Sequence, residues 1–329
     1  MFRRTLLSLV VSTAVLALVP TRVGAATVPT PAGRIFLPNP VVTLHDQSLT
    51  DRKDEDYAAL KPAYVIAGLQ HLDHSGYLQG DFVTVRGSGG RAFEADRRFL
   101  YGRHDERFEQ VMAYYAITHA QEYIQHLGFT DIQADGITVK VNQYGIDNSY
   151  FDPTKDLIRL GKSGVDDGED LEVIWHEYGH AIQEAESPGF GVGHDAGSIG
   201  EGFGDYWAAT MSQPVSGGYG VTCIADWDSI SYTVDVPHCL RRVDTDLTVD
   251  DQTGAIHHDG KIWSRALWDI HTALGRTTAD TIVLTAQYHF NPSTTFRDAA
   301  LEVVDAARSV GGNSAANVAR AAFEDRGIL

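Results

Sequence analysis

The feature that most constrains this 329-residue chain is the pentapeptide HEYGH at positions 176–180. On an α-helix, positions i and i+4 share a face, so His176 and His180 can bind one metal ion together. Glu177 points slightly aside, where its carboxylate can reach a metal-bound water. Apolar flanks and an acidic first turn predict a buried helix that stops at residues 187–189. Since buried ionisable groups are costly unless paired or metal-bound, the pattern indicates a zinc site.

A second pair of acidic residues at helical spacing follows, Glu201 and Asp205. A catalytic zinc site takes three protein ligands and leaves one position open, and Glu201 can supply the third. Asp205 can accept the other ring N–H of a liganding histidine and fix its tautomer. Glycines at positions 200, 202 and 204 would each cost a helix interior about 1 kcal/mol relative to alanine. They therefore predict that another element packs unusually close to this helix.

HEYGH followed by Gly-Glu-Gly-Phe-Gly-Asp-Tyr resembles the glutamate zincins, in particular the thermolysin-like and fungalysin-like secreted endopeptidases. In that pattern a Glu ligand comes about twenty residues after HExxH and an Asp four positions later; here Glu201 lies 21 positions after His180. The resemblance implies zinc ligands at His176, His180 and Glu201. It also implies a general base at Glu177 and a supporting carboxylate at Asp205. The Gly-x-Met-Glu-Asn signature of related aminopeptidases is absent, which favours endopeptidase action.

A shorter match precedes the predicted metal helix, in the segment Asp-Asn-Ser-Tyr-Phe at 147–151. The resembled families place an edge strand here that pairs with the substrate backbone. Asn148 and Ser149 are therefore candidate substrate contacts through strand addition. A plain turn and strand without a substrate role is the alternative.

Another match follows, in the segment Ile-His-His-Asp-Gly-Lys-Ile-Trp at 256–263. By resemblance, His257 is the histidine that stabilises the oxyanion, with His258 as the alternative; an ordinary solvated turn is a third interpretation. Asp250 or Asp251 is the candidate to hold the histidine charged and oriented.

The first 25 residues are typical of a secretory signal peptide, with a basic start, an apolar core at 6–19 and a small-residue cleavage site. Removing them takes away three Arg, which leaves 23 Lys+Arg against 44 Asp+Glu and a net charge of −21. So acidic a chain is not expected to bind nucleic acid or an anionic membrane surface. We expect a secreted monomer that acts on protein or peptide substrates.

Cysteine usage and acidic clusters suggest further structural elements. In an exported chain, Cys223 and Cys239 most simply form one disulfide. The acidic segments 166–170 and 244–251 are candidates for structural calcium, which needs oxygen ligands. Neither segment has EF-hand spacing, which favours a solvated acidic loop at each.

The order of predicted elements gives an α+β fold of zincin type with two parts. Residues 26–165 form a β-rich N-terminal part that includes a long amphipathic helix at 105–127, and residues 166–329 form a helical C-terminal part that carries the zinc site. The active site is expected in the cleft between the two. Strands are predicted at 34–37, 41–44, 81–85, 137–141 and 157–160, and further helices at 261–274, 295–310 and 315–326.

The leading hypothesis is a secreted zinc endopeptidase in which Glu177 assists attack by a zinc-bound water. An alternative from another class is a secreted binding or adhesion protein with a structural zinc site. The fourth coordination position discriminates them, because a structural site is closed. A zinc hydrolase that acts on a non-peptide bond would use the same residues.

Overall fold

The computed structural model describes residues 30–143 and 145–329, and the predicted signal peptide at 1–25 lies outside them. The fold is α+β, as the sequence predicts: strands are concentrated in the first half and helices in the second. The strands are β1 (Ala32–Phe36), β2 (Tyr64–Gly68), β3 (Val83–Gly87), β4 (Arg98–Phe99), β5 (Ile137–Val141), β6 (Tyr150–Asp152), β7 (Leu157–Arg159), β8 (Cys223–Ile224) and β9 (Arg241–Arg242). The helices are α1 (Pro40–Leu44), α2 (Phe108–His126), α3 (Leu171–Glu186), α4 (His194–Ser212), α5 (Ile256–Leu274), α6 (Arg276–Gln287) and α7 (Phe296–Glu324).

Two small sheets build the N-terminal half. One has the order β2-β1-β4, and the other has the order β3-β5-β7-β6. In the second sheet β3, β5 and β7 run parallel, while β6 pairs antiparallel with β7 through Phe151 and Ile158. This makes β6 the outer strand of its sheet, next to the segment for which an edge strand was predicted. β6 is therefore an edge strand of this sheet.

Helix α2 links the sheets to the helical half. It is buried along most of its length and packs on β1, β3 and β5 on one side and on α3 on another. The Trp175 indole N–H of α3 donates a hydrogen bond to the Ala116 carbonyl oxygen of α2, 3.0 Å away. From α3 onward, each helix packs on the next helix in the chain. Helix α7 also packs on α5. One hydrophobic core runs through both halves.

Two element predictions differ from the structure, and some elements were not predicted. Residues 41–44, predicted as a strand, lie in helix α1, because Asn39 caps it by accepting the Val42 N–H at 2.9 Å and Pro40 fits its first position. The helix predicted at 261–274 begins five residues earlier, at Ile256. Helix α6 was not predicted.

Other predictions agree closely with the structure. The two terminal helices correspond to α7, which is broken at Gly312, where the backbone is left-handed with φ 70°. The Cys223–Cys239 disulfide is confirmed, with 5.2 Å between the two Cα atoms. Within the described part of the chain, no helix has the length and apolar character that a membrane crossing requires.

Candidate metal centre

Helix α3 carries the HEYGH segment and is fixed at its start by buried carboxylates. The Asp170 side chain caps the helix by accepting the Glu172 N–H at 3.0 Å. The helix ends at Glu186 with Ser187 as its C-cap, where the Ser-Pro-Gly segment at 187–189 predicts the stop. Nearly all of α3 is buried, including His176 and Glu177. The polar residues of the motif are thus held inside the protein, where a rigid helix sets their positions.

Helix α4 crosses α3 at glycines, and this confirms the close packing that the glycine pattern predicts. A Cβ placed on Gly179 of α3 would lie 3.0 Å from the Gly204 Cα atom of α4. A Cβ on Gly204 would lie 2.7 Å from His176 Nδ1. On the other side of α4, a Cβ on Gly202 would lie 2.3 Å from the Gly260 carbonyl oxygen of α5. Because these glycines have no side chain, α3, α4 and α5 can pack closely together at the same level.

This crossing brings the three predicted metal ligands together. His176, His180 and Glu201 each offer one ligand atom, and these atoms lie within 4.8 Å of one another. His176 Nε2 is 3.4 Å from Glu201 Oε2, and His180 Nε2 is 3.8 Å from Glu201 Oε1. Separations of this size suit a single ion in contact with all three side chains, since Zn–N and Zn–O bonds are about 2.0–2.2 Å.

The chemistry of these side chains fits zinc. Two imidazole nitrogens and one carboxylate oxygen form a typical donor set of a catalytic zinc ion. Glu201 Oε2 is buried and accepts no hydrogen bond, so an acceptor is left over for an ion. Burial lowers the pKa of His180 to about 4, which keeps its ring neutral at pH 7, as a ligand must be. At His176, burial lowers the pKa, but the neighbouring carboxylates of Asp205 and Glu201 outweigh it and raise the pKa to about 10.

A carboxylate–arginine pair lies behind His176. Asp205 Oδ1 lies 2.9 Å from His176 Nδ1, which is the contact predicted for this aspartate. The Arg241 guanidinium donates to both oxygens of Asp205, at 2.7 and 2.8 Å. Burial alone would raise the pKa of Asp205, but Arg241 and His176 lower it to about 2. The carboxylate is thus ionised and held in one orientation against the imidazole.

Sequence reasoning missed Arg241. It lies 36 positions after Asp205 and belongs to no motif. Its position depends on the β8–β9 pairing, in which Ile224 faces Arg241, and on the neighbouring disulfide. The disulfide was predicted from the sequence, but its consequence for Arg241 depends on tertiary structure.

Glu177 faces a cleft beside the metal ligands. The cleft has a volume of about 440 Å³ and is lined by residues of α3, α4, β6 and the start of α5. Glu177 is buried at its wall, and burial raises the pKa of its carboxyl group to about 7, with Glu201 and Asp167 adding like charge. Such a group exchanges a proton readily near neutral pH, as a general base or acid must.

Asn148 and Ser149 also line this cleft, immediately before strand β6. The Ser149 hydroxyl donates a short hydrogen bond to Asp167 Oδ2. Its proton is therefore already used, and the hydroxyl can meet a substrate only as an acceptor. Neither residue contacts the three metal ligands in the described hydrogen bonds and ion pairs.

His257 lies at the mouth of the cleft, in the first turn of α5. Its Nε2 is 3.3 Å from Glu201 Oε2, and its side chain is 62% exposed. The expectation that Asp250 or Asp251 orients it is wrong. Asp251 instead accepts hydrogen bonds from Thr248. Among the described residues, the carboxylate within ion-pair distance of His257 is that of Glu201.

His258 points to a different partner. Its Nδ1 lies 2.9 Å from Asp259 Oδ1, and the other oxygen of this buried aspartate lies 2.8 Å from His194 Nε2. Because α5 begins at Ile256, adjacent histidines diverge by about 100° around the helix, and only His257 lines the cleft. Of the two histidines that the sequence left open, His257 is therefore the one that lines the cleft.

The two acidic segments, 244–251 and 166–170, were both predicted as solvated loops, and they differ in the structure. Segment 244–251 fits that interpretation in part, because Asp244 and Asp246 pair with surface arginines. Segment 166–170 does not: its four acidic residues are buried. Its carboxylates belong to separate groups, with Glu169 on Arg103 at 2.8 Å and Asp167 near Asp228. The prediction of a solvated loop at 166–170 is therefore wrong.

Comparison with solved structures finds a similar fold in the precursor of protealysin, a metalloproteinase from Serratia proteamaculans. The two chains are 16% identical and align with a TM-score of 0.61, over 79% of this chain and 91% of that one. No protein-family model matches the sequence, and no curated protein does. At 16% identity the likeness establishes the fold, which is that of a metalloproteinase, and the reaction has to be argued from the site.

Proposed function

We propose that the protein is a secreted, zinc-dependent endopeptidase. The observation that carries this proposal is the convergence of His176, His180 and Glu201 beside Glu177, inside an open cleft. Two imidazoles and a carboxylate fit zinc, and Glu177 stands close by as a group that can move a proton. The fold of a metalloproteinase supports the same reaction class.

Each residue has a defined task in this proposal. Bound zinc supplies Lewis acidity, which lowers the pKa of water towards about 7 and polarises a carbonyl group. Glu177 takes the proton of the attacking water and then delivers it to the leaving amine. His257 donates a hydrogen bond to the oxyanion from the mouth of the cleft. Asp205, held by Arg241, keeps His176 in the orientation and tautomer that a ligand needs.

The cleft is suited to an extended peptide. Asn148 and Ser149 lead into β6, the outer strand of its sheet, and strand addition at a sheet edge would pair a substrate backbone with it. An extended chain that runs along this edge passes the metal ligands. The proposed substrates are therefore proteins or peptides, cleaved away from their ends, by a monomer that binds neither nucleic acid nor membrane.

A structural zinc site is the second candidate, and one contact favours it. His257 Nε2 lies 3.3 Å from Glu201 Oε2, so a small movement could make this histidine a fourth ligand and close the site. Two observations favour the open, catalytic form. Among the described residues, the group of ligand atoms within 4.8 Å of one another does not include His257, and the His257 side chain is mostly exposed.

Hydrolysis of casein and of an internally quenched peptide tests the proposal. Activity should be lost on chelation and restored by zinc. Glu177→Gln should lower turnover by at least about a hundredfold while zinc content stays at one per chain. Glu184→Gln is the matched control, because it lies two turns further along the same helix, also lines the cleft, and can still accept the Gly189 N–H at 2.9 Å.

The outcomes separate the two candidates. An active Glu177→Gln variant contradicts the assigned base. An inactive, zinc-loaded wild-type protein whose zinc affinity falls in His257→Ala indicates a closed structural site. In the endopeptidase, His257→Ala instead lowers kcat and leaves zinc binding unchanged.

A further inference from the structure

The wall of the cleft is strongly acidic. In the described part of the chain, the lysine or arginine that lines it is Arg241, and this guanidinium already donates to both oxygens of Asp205. The acidic residues that line the cleft are Asp167, Glu172, Glu177, Glu184, Glu201 and Asp228. A cleft of this charge attracts a positively charged substrate group and disfavours an acidic one.

Two of these residues, Asp167 and Asp228, form an acidic cluster with Asp147. Each offers one oxygen, and these atoms lie within 4.8 Å of one another. The Oδ1 atoms of all three are buried and accept no hydrogen bond, and Asp167 and Asp228 are each only 2% exposed. Among the described residues, no lysine, arginine or histidine forms an ion pair with any of them. Buried carboxylates in this state are strongly unfavourable unless a cation balances them.

A neighbouring acidic group shows the contrast. Oxygens of Asp170, Glu172 and Asp226 also lie within 4.8 Å of one another. There, however, the Asn39 amide donates to Asp170 at 3.2 Å and to Asp226 at 2.8 Å. Glu172 Oε2 accepts the Ala225 N–H at 2.8 Å. Donors within the protein bind that group, whereas the acidic cluster keeps its acceptors for a donor from outside.

We propose that the acidic cluster of Asp147, Asp167 and Asp228 is a subsite for the ammonium group of a substrate lysine. This subsite rests on the proposed endopeptidase function, for which it specifies a substrate side chain. An ammonium group has three N–H donors, and it bonds carboxylate oxygens at about 2.7–2.9 Å. A nitrogen about 2.8 Å from three oxygens spans oxygen pairs up to about 4.8 Å apart, which matches the separation of the cluster oxygens. The planar guanidinium of arginine is a poorer match, because its donors form a flat fork.

The same cleft also suits the aliphatic part of a lysine side chain. Val173, Ile224 and Leu240 line it together with Asp167 and Asp228. Lysine buries its four-carbon stem along apolar surface and presents its charge at the end. The apolar residues alone would accept any aliphatic side chain, so the acidic cluster decides between lysine and an uncharged residue of the same length.

The acidic cluster lies towards the start of α3, on one side of Glu177. Val173 lies one turn before Glu177 on the same face of the helix, Asp167 lies just before the helix, and all three line the cleft. In the proposed mechanism Glu177 delivers a proton to the leaving amine. The residue that supplies this amine therefore lies beside Glu177, and its side chain can extend past Val173 to the acidic cluster. We expect lysine directly after the scissile bond, so that the enzyme cleaves on the amino side of lysine.

Two quenched peptides that differ in one side chain test this subsite with the zinc-loaded protein. One has lysine directly after the scissile bond, and the other has norleucine, which keeps the four-carbon chain and lacks the ammonium group. The kcat/KM of the lysine peptide should be higher by at least about tenfold, because only lysine forms charge-assisted hydrogen bonds with the cluster. Asp167→Asn and Asp228→Asn should each lower this lysine-to-norleucine ratio towards one. Asp235→Asn is the matched control: it removes the same charge from an exposed position in the disulfide-closed loop, and should keep the wild-type ratio.

Several results would overturn the subsite. One is equal cleavage of both peptides by the wild type, a measurement that needs no variant to fold. Another is cleavage on the carboxyl side of lysine, located by mass spectrometry of the products. A third is a lysine preference that both variants keep, and a fourth is a second divalent cation, found by elemental analysis, that Asp228→Asn loses.

Failure of the proposed function gives a different result. If the protein cleaves neither peptide, the endopeptidase assignment is wrong. Calorimetric binding of the two uncleaved peptides to the same zinc-loaded protein then decides on the subsite. Tighter binding of the lysine peptide supports it, and equal affinities refute it.

Discussion

Replacing Gly202 by alanine tests whether the crossing of α4 and α5 tolerates any added atom. A Cβ at this position would lie 2.3 Å from the Gly260 carbonyl oxygen and 2.8 Å from the Trp263 Cβ atom. Both atoms are fixed to the main chain of α5, so no side-chain rotation can relieve the contact. To reach ordinary contact distance, the two helices must separate by about 1 Å. Such a shift would disturb a core in which Trp263 is fully buried.

The expected magnitude follows from two opposing terms. Alanine in a helix interior is more favourable than glycine by about 1 kcal/mol. Overpacking of a close-packed core costs about 1–3 kcal/mol. Gly202→Ala should therefore lower the free energy of unfolding by up to about 2 kcal/mol. At Gly200 the nearest atom to an added Cβ is Gln183 Oε1 at 3.4 Å, an ordinary contact, so Gly200→Ala keeps the gain of up to about 1 kcal/mol.

Urea unfolding of both zinc-loaded variants, followed by tryptophan fluorescence, measures the difference. The midpoint of Gly202→Ala should fall and that of Gly200→Ala should stay equal or rise, with unchanged m values. The two variants are matched, since they differ only in which face of one helix receives a methyl group. Equal shifts in the same direction would refute the argument that helix contact, and not helix propensity, selects glycine at position 202.

Three further predictions concern the metal, the disulfide and a buried acid. Gly204→Ala would place a Cβ 2.7 Å from His176 Nδ1, and should reduce zinc affinity about 10–100-fold in competition with a chelating dye; unchanged affinity would contradict the argued contact. Replacing Cys223 and Cys239 together by serine opens a loop with a sequence separation of 16, and should lower the free energy of unfolding in urea by about 3 kcal/mol, with no further effect of a reducing agent. Burial raises the pKa of Glu186 well above its ordinary value. Above about pH 4.5, Glu186 therefore holds its proton more often in the folded protein than in the unfolded chain. The folded protein consequently loses stability as the pH rises from about 4.5 through the raised pKa. Glu186→Gln should therefore increase the unfolding midpoint at pH 8 and give a smaller gain at pH 5, and an equal gain at both would argue against the raised pKa.

The helices of the metal centre could be predicted because their signals are local. HEYGH, an acidic first turn and a Ser-Pro-Gly stop define α3 within two residues of its observed bounds. The spacing of Glu201 and Asp205 predicts α4, and the glycines predict its close packing. Each signal spans fewer than twenty residues, so the sequence alone contains it.

Elements that depend on tertiary context were predicted less well. Helix α6 has the sequence RTTADTIVLTAQ, in which β-branched residues lower helix propensity. It is a helix because its apolar face packs against α5 and α7. Conversely, the β-branched run at 41–44 adopts a helix, because the Asn39 cap and Pro40 determine the local backbone. Intrinsic propensity is overridden in both cases, by packing in one and by capping in the other.

The placement of buried charge was the least predictable feature. Composition shows an acidic excess, and an acidic segment without a known motif is most simply interpreted as solvated. At 166–170 the excess instead surrounds the N-terminus of α3, where the helix dipole stabilises negative charge. Glu169 is balanced by the buried guanidinium of Arg103, 66 positions earlier in the chain. Asp167 finds no such cation in the described structure, although it is buried equally deeply. Since the same helix end carries both groups, the difference between them lies in the partner: the charge of Glu169 is balanced by a guanidinium within the chain, and the described residues place no cation against Asp167.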